Sequence, residues 1–170
     1  MFKLFYMKLK ELLSSNRGTV GEHIRYGQIK GSEVNVGSFP WVASQVIGNK
    51  SGKFVYMAAG ELTLCVDAVA YILGWAQEAS GASTPTAADE CTVNVALDAV
   101  YRIPVNSGTY VKGMIGDKCD LSVVSNVQGA QLDASSEDLC IVVGGDATSN
   151  NAWVDVKINP AVAGVPAGVV

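Results

Sequence analysis

One stretch of the chain, residues 91–124, limits the possible fold more than any other. Its first part alternates apolar and polar side chains, with Val93, Val95 and Leu97 on one side. A repeat of two residues is typical of a β-strand with one buried face. Three further apolar pieces follow, separated by turn residues such as Asn106 and Gly116. Four short strands in so short a stretch predict an antiparallel meander.

Similar apolar runs recur along most of the chain and predict an all-β fold, either a small antiparallel β-barrel or a β-sandwich. We expect the body to cover residues 41–158, with an extended, partly helical N-terminal arm over 1–40 and an extended C-terminal tail over 159–170. Turns are predicted at 49–52 and at 144–146. The predicted strands are 42–47, 53–58, 62–68, 70–76, 91–97, 99–104, 109–113, 119–124, 139–143 and 152–158.

The arm begins with an amphipathic pattern that predicts a helix over residues 1–15. A helix this short is marginal in water, so it needs a surface to lie on. That surface could be the body, a neighbouring subunit or a membrane. Residues 16–40 are predicted to be an extended arm or an irregular linker. The apolar side chains that fall on one side of the helix are Phe2, Phe5, Leu9, Leu12 and Leu13.

Charge is distributed unevenly along the chain. Residues 1–30 carry a net charge of +4, whereas residues 31–170 carry −8. A basic arm on an acidic body predicts that the arm binds something acidic. The body itself lacks the clustered Lys and Arg that nucleic-acid binding requires. Only 16% of residues are charged, which leaves open whether part of the surface is covered by partners or the fold is simply rich in Ala and Gly.

The uncharged tail contains two prolines and is apolar, so we expect it to lie along the body or along a neighbour, with disorder as the alternative. The four cysteines form no Cys-x-x-Cys motif, and each sits in an apolar run. We interpret them as buried, reduced thiols, although two disulfides remain an alternative.

No secretory signal and no apolar run long enough to span a membrane is recognised.

Catalytic patterns are sparse. His23 is the only histidine, and it lies in the predicted arm beside charged residues. Carboxylates occur in pairs near predicted turns, where solvated acids are ordinary. The spacings support neither a metal site nor a phosphate-binding loop, so no cofactor is expected. An enzyme would need a pocket in which several acids converge, and the sequence indicates none. Those carboxylates are Asp89, Glu90, Asp117, Asp120, Glu137 and Asp138.

Four segments carry a resemblance to a known family. They are 70–76, 100–105, 116–121 and 153–160, which read AYILGWA, VYRIPV, GDKCDL and WVDVKINP. These segments resemble strands of the small head decoration, or capsid cement, proteins of tailed bacteriophages, over about residues 42–160. The resemblance implies a β-barrel that binds the outside of an icosahedral shell, often as a trimer, and clamps neighbouring coat subunits. It implies no catalytic residues.

We therefore expect a non-enzymatic structural protein of the virion, made in the host cytoplasm. Its partner would be the major capsid protein, and a homo-oligomer, with a trimer favoured, is expected. No nucleic acid or membrane partner is expected. The alternative is a receptor- or carbohydrate-binding β-domain of a phage fibre or tail, with Tyr110 or Trp153 exposed along a groove. The residues expected to contact the capsid are Phe2, Phe5, Lys8, Leu9, Lys10, Arg17 and Arg25.

Overall fold

The computed structural model describes residues 26–48, 50–78, 90–134, 136–146 and 152–164. Within these ranges the chain forms β-strands and two short 3₁₀ turns, Lys112–Met114 and Pro160–Val162, and no α-helix. The predicted all-β class is therefore confirmed. The strands are β1 (Gly27–Lys30), β2 (Asn35–Pro40), β3 (Phe54–Ala58), β4 (Glu61–Leu64), β5 (Gly74–Ala76), β6 (Glu90–Asn94), β7 (Val100–Ser107), β8 (Lys118–Val124), β9 (Val127–Gln131), β10 (Cys140–Asp146) and β11 (Trp153–Ile158).

The larger sheet closes on itself. Its strands lie in the order β1-β7-β11-β10-β8-β9, and β9 also pairs in parallel with the end of β7. This second pairing joins the last strand of the sheet to the second one. The five strands β7 to β11 therefore form a closed ring, and β1 pairs with the opening residues of β7 outside it.

The smaller sheet, in the order β2-β6-β5-β3-β4, is also curled. The residue that follows β2, Trp41, forms a parallel bridge with Leu62 in β4, and the Val42 amide donates to the Leu62 carbonyl. Trp41 is fully buried beneath this bridge. The first and last strands of the sheet thus meet around a core that includes Val55, Leu64 and Val93.

Two hydrophobic cores share the wall formed by β3. Phe54 packs in the core of the larger sheet, whereas the next residue, Val55, packs in the core of the smaller sheet. Successive side chains of a strand point to opposite faces, so one strand can serve both cores. Phe54 meets the rings of Trp75 and Tyr101 edge-on at 4.9 and 5.2 Å, and those two rings stack on each other at 4.5 Å. The two sheets are therefore one packed unit.

A buried glutamine joins the sheets by hydrogen bonds. The Gln128 side chain, on β9, accepts from the Phe54 amide at 2.8 Å and donates to the carbonyls of Phe54 and Cys65 at 2.8 and 2.9 Å. It is fully buried. Because β3 and β9 belong to different sheets, this amide substitutes for strand pairing at the place where the sheets meet.

Several predicted strand boundaries are wrong. Residues 109–113 enter the 3₁₀ turn instead of a strand, and residues 42–47 contain no strand, with a turn at Ala43 and Ser44, the latter at φ +65°. The turn predicted at 144–146 is instead the end of β10. A side chain at Gly145 would lie 2.9 Å from the Trp153 carbonyl and 3.0 Å from the Tyr110 ring. Glycine at this position therefore permits close packing rather than a turn.

Three strands were not predicted. β9 was missed because its residues do not alternate clearly between apolar and polar. β1 and β2 lie within residues 16–40, which were predicted to be an extended arm or an irregular linker. Residues 27–40 instead pair with β7 and β6. The predicted helix over residues 1–15 lies outside the described residues.

The start of the predicted tail, residues 159–164, lies along the body, which was one of the two surfaces expected for it. The Ile72 amide donates to the Val162 carbonyl, and the Gly164 amide donates to the Ile72 carbonyl, both at 2.9 Å. The Asn159 side chain caps the 3₁₀ turn by accepting from the Ala161 amide. Residues 165–170 lie outside the described residues.

All four cysteines are buried and free, which confirms that interpretation. Cys119 and Cys140 lie opposite each other on β8 and β10. Burial raises the pKa of Cys119 from 9.0 to about 12, and it raises the pKa values of Cys65 and Cys140 well above 9.0.

Replacing Gln128 with Ala is expected to lower the free energy of unfolding by about 4 kcal/mol, because it leaves the buried Phe54 amide and Cys65 carbonyl without partners. Urea unfolding would measure the change. Gln131→Ala, at a half-buried position on the same strand, is the control and should cost less than about 1 kcal/mol. Equal losses in the two variants would contradict the role assigned to Gln128.

Stability is expected to fall as the pH rises above about 9. The unfolded thiols lose their protons there, whereas the buried thiols stay protonated, so stabilisation that is complete below pH 9 is lost towards the folded pKa values. Each buried thiol contributes a slope of about 1.4 kcal/mol per pH unit. Urea unfolding of Cys119→Ala between pH 9 and 11, under reducing conditions, should give a slope smaller by that amount. An unchanged slope would argue against this linkage.

Candidate functional site

The residues predicted to contact the capsid all lie outside the described residues, as does His23. The described chain begins at Tyr26, directly before β1. β1 begins at Gly27, directly opposite Arg102 of β7. Three groups of residues on the body are candidate sites.

The first is a group of exposed apolar side chains on β1 and on the loops next to it, Ile29, Val34 and Leu97. Their exposed fractions are 39, 50 and 42%. Ile29 lies on β1 itself. The loops that carry Val34 and Leu97 are joined, because the Ser32 amide and hydroxyl both donate to the Asp98 carboxylate, at 3.1 and 2.9 Å. We call these three residues the arm-root surface. Exposed apolar side chains held on joined loops are suited to contact with another protein.

The buried side chain of Asn94 holds these loops in place. Its Oδ1 atom accepts from the amides of Val34 and Ala96, and its Nδ2 atom donates to the Gln28 side chain and the Ser32 carbonyl. Gly74 packs so closely that a side chain there would lie 2.4 Å from the Asn94 carbonyl. The arm-root surface therefore rests on an ordered polar support.

The second site is a polar and aromatic group on the outer face of β7 and β11. The Arg102 guanidinium lies 3.5 Å over the Trp153 ring and binds both oxygens of Asp155, at 2.8 and 3.0 Å. Hydrogen bonding to Asp155 raises the pKa of Arg102, and burial raises the pKa of nearby Tyr26. The other aromatic that a glycan groove was predicted to expose, Tyr110, is buried. Trp153 is half-buried, and Arg102 covers one face of its ring.

The third site is a cavity of about 560 Å³ at the end of the larger sheet. Its apolar side is made by Met114, Leu132 and Val142. Its polar rim carries three aspartates, Asp117, Asp133 and Asp138, together with Lys118.

Asp120 fixes residues 136–138, the segment that carries Asp138 into the lining of this cavity. It is fully buried, and its carboxylate accepts from the Ser136 amide and hydroxyl and from the amides of Glu137 and Asp138, at 2.7 to 3.1 Å. These bonds hold Asp138 at φ +56°, where its carboxylate meets Lys118 at 2.7 Å. The wall is therefore preorganised.

This convergence of acids was not predicted. Asp117 with Asp120, and Glu137 with Asp138, were interpreted as separate pairs of solvated acids at turns and strand ends, and Asp133 was not singled out. The pairing of β8 with β10 and with β9 brings them to one end of the sheet. Asp120, Asp133 and Asp138 each bind a neighbouring group of the chain, which is a structural role. Within the described ranges, no three His, Cys, Asp or Glu side chains are placed to hold a metal ion.

Comparisons with known proteins give no relative. No family model, no curated protein and no solved structure matches this chain. A helix long and apolar enough to cross a membrane does not occur in the part of the chain that the structure describes.

Replacing Asp120 with Asn should lower the free energy of unfolding by about 3 kcal/mol, since an amide nitrogen would face amide donors in a buried site. Asp117→Asn, at an exposed rim position, is the control and should change it by less than about 0.5 kcal/mol. Chemical denaturation would measure both. A loss below 1 kcal/mol for Asp120→Asn would contradict the support role, by the usual cost of an unpaired buried group.

Proposed function

We propose that this chain is a structural protein of a tailed-bacteriophage head, a capsid decoration or cement protein. It binds the outside of the assembled shell and stabilises it by bridging neighbouring major capsid proteins. In this proposal the protein has no catalytic activity or cofactor and binds neither nucleic acid nor membrane. It acts as a homo-oligomer, with a trimer favoured, and its final location is the virion surface.

The observation that carries the proposal is the arm-root surface. Ile29, Val34 and Leu97 are exposed where a basic, amphipathic segment joins an acidic body. A segment and a surface that adjoin can contact one partner together. The proposed contact therefore combines Phe2, Phe5 and Leu9 of the arm with apolar side chains of the body.

Physical reasoning supports this mode of action. A protein that binds only the assembled shell stabilises that state by mass action. Repeated sites on the shell add avidity to each weak contact. The two cores are joined through β3 and Gln128 into one packed body. Such a body can hold two neighbouring capsid proteins at a fixed distance. The net charge of −8 over residues 31–170 favours solubility of the outward face and disfavours nucleic-acid contact.

A receptor- or carbohydrate-binding domain of a fibre or tail is the alternative. Trp153 with Arg102 and Asp155 is the group that favours it, because aromatic rings and charged side chains together bind sugars. Against it, Arg102 occupies one ring face at 3.5 Å and Asp155 already neutralises the guanidinium. A glycan-binding screen of the purified protein would test this alternative.

Co-sedimentation with emptied phage heads tests the proposed function. The chain should pellet with assembled heads and should not associate with unassembled coat protein. Removing two apolar contacts by Val34→Ser with Leu97→Ser should cost about 2 kcal/mol and weaken binding roughly 30-fold. Val124→Ser is the matched control, because Val124, the last residue of β8, is 53% exposed and lies outside the arm-root surface.

Failure to pellet with heads would reject the decoration proposal. Equal binding by the Val34→Ser, Leu97→Ser variant and the control would remove the arm-root surface from the contact while leaving the shell as partner.

A further inference from the structure

We propose that the cavity at the end of the larger sheet is a docking site for the chain's own N-terminal segment, residues 1–25, and that basic side chains of the segment enter its acidic rim. This inference goes beyond the proposed function and does not rest on it, because it concerns the free protein.

The rim of the cavity carries three aspartates and one lysine, so its net negative charge favours a cationic occupant. Asp138 is paired with Lys118 at 2.7 Å. Asp117 and Asp133 are exposed on the rim, and no salt bridge to either of them occurs among the described residues. Two carboxylates without a basic partner beside one apolar wall attract a cation that also carries apolar groups.

The apolar side of the cavity favours a peptide over an inorganic cation as the occupant. Met114 and Leu132 are only partly buried against the core, and Val142, which also lines the cavity, is buried. Beside them, Val111 and Ile115 are 56 and 50% exposed around the 3₁₀ turn. A small inorganic cation would leave these side chains uncovered, whereas an amphipathic peptide would cover them.

The N-terminal segment has the matching chemistry. Residues 1–25 carry a net charge of +3, and the apolar side chains among them recur with helical spacing. Basic and apolar side chains therefore occur together in one short stretch, as the cavity requires. The basic residues are Lys3, Lys8, Lys10, Arg17 and Arg25.

The segment is long enough to reach the cavity. It joins the body opposite Arg102, near the start of β7, and the cavity lies at the other end of β7, where the Ser107 carbonyl accepts from the Leu132 amide. From Arg102 to Ser107 the strand rises about 17 Å. A segment of 25 residues spans up to about 80 Å when extended.

Attachment to the same chain favours docking within one molecule. A tethered segment has an effective concentration in the millimolar range, so a few weak contacts suffice to keep it bound. A second copy of the protein offers the same segment only at its concentration in solution. We therefore assign the cavity to the segment of the same chain.

Cross-linking of the full-length protein tests this directly. A carbodiimide joins carboxylates to amines in contact without adding a spacer, and mass spectrometry locates the linked residues. Links from Lys3, Lys8 or Lys10 to Asp117 or Asp133 are expected. Asp67 is the control, because it is an exposed carboxylate that lies just after β4, a strand of the smaller sheet. Links to Asp67 that are as frequent as links to the rim would overturn the proposal.

Ordinary and ¹⁵N-labelled protein, unfolded and refolded together in equal amounts so that any oligomer contains both labels, separates the two sources of the segment. Links found only within chains of one label support docking within the molecule. Mixed links at the statistical frequency would assign the cavity to a second copy and overturn the same-chain assignment. Because no phage heads are present, failure here leaves the shell-binding proposal untouched, and failure of shell binding leaves this result untouched.

Tryptic cleavage supplies a second measurement that does not need the rim carboxylates to react. Cleavage after Lys8, Lys10 and Arg17 should be about fivefold faster or more in Asp117→Asn with Asp133→Asn, since proteolysis follows the population of the open form. Asp67→Asn should cleave like the unchanged protein. Equal rates in all three proteins, with equal melting temperatures, would also overturn the proposal.

Discussion

The contact on which the rest of this structure depends is the buried amide of Gln128. It binds the backbone of β3 and the Cys65 carbonyl from a strand of the other sheet, so two curled sheets become one body. The side chains of β3 reinforce the junction, because Phe54 and Val55 enter different cores. A buried amide is costly unless every partner is present, so it also selects one way of packing the sheets.

Around that junction the chain separates its charges. Residues 1–25, before β1, hold five of the twelve basic residues and only two acidic ones, whereas the other fourteen acidic residues lie in residues 26–170, three of them on the cavity rim. The arm-root surface and the cavity lie near opposite ends of β7. The same basic segment is thus proposed to have two partners, the cavity in the free protein and the capsid after binding. The two contacts would compete, which would couple release of the segment to attachment.

Local pattern predicted the strands whose two faces differ. Residues 91–97 and 152–158 alternate, and the structure places β6 and β11 there. Residues 127–131 do not alternate, since Gln128, Gly129 and Ala130 are all buried, and β9 was missed for that reason. Gly145 was interpreted as a turn because glycine favours turns, but here it makes room for the Tyr110 ring. The cavity was missed because its acids are separated in sequence.

The sequence by itself determined the all-β class, the burial of the four cysteines and the contrast between a basic N-terminal segment and an acidic remainder, because periodicity, apolar context and charge can all be read along the chain. Only the tertiary structure decided that the strands form two curled sheets, that Asp120 supports a cavity wall and that Ile29, Val34 and Leu97 are exposed on neighbouring segments joined by the Ser32–Asp98 hydrogen bonds. The physical reason is that strand pairing joins residues far apart in sequence, and its register is set by packing between the sheets.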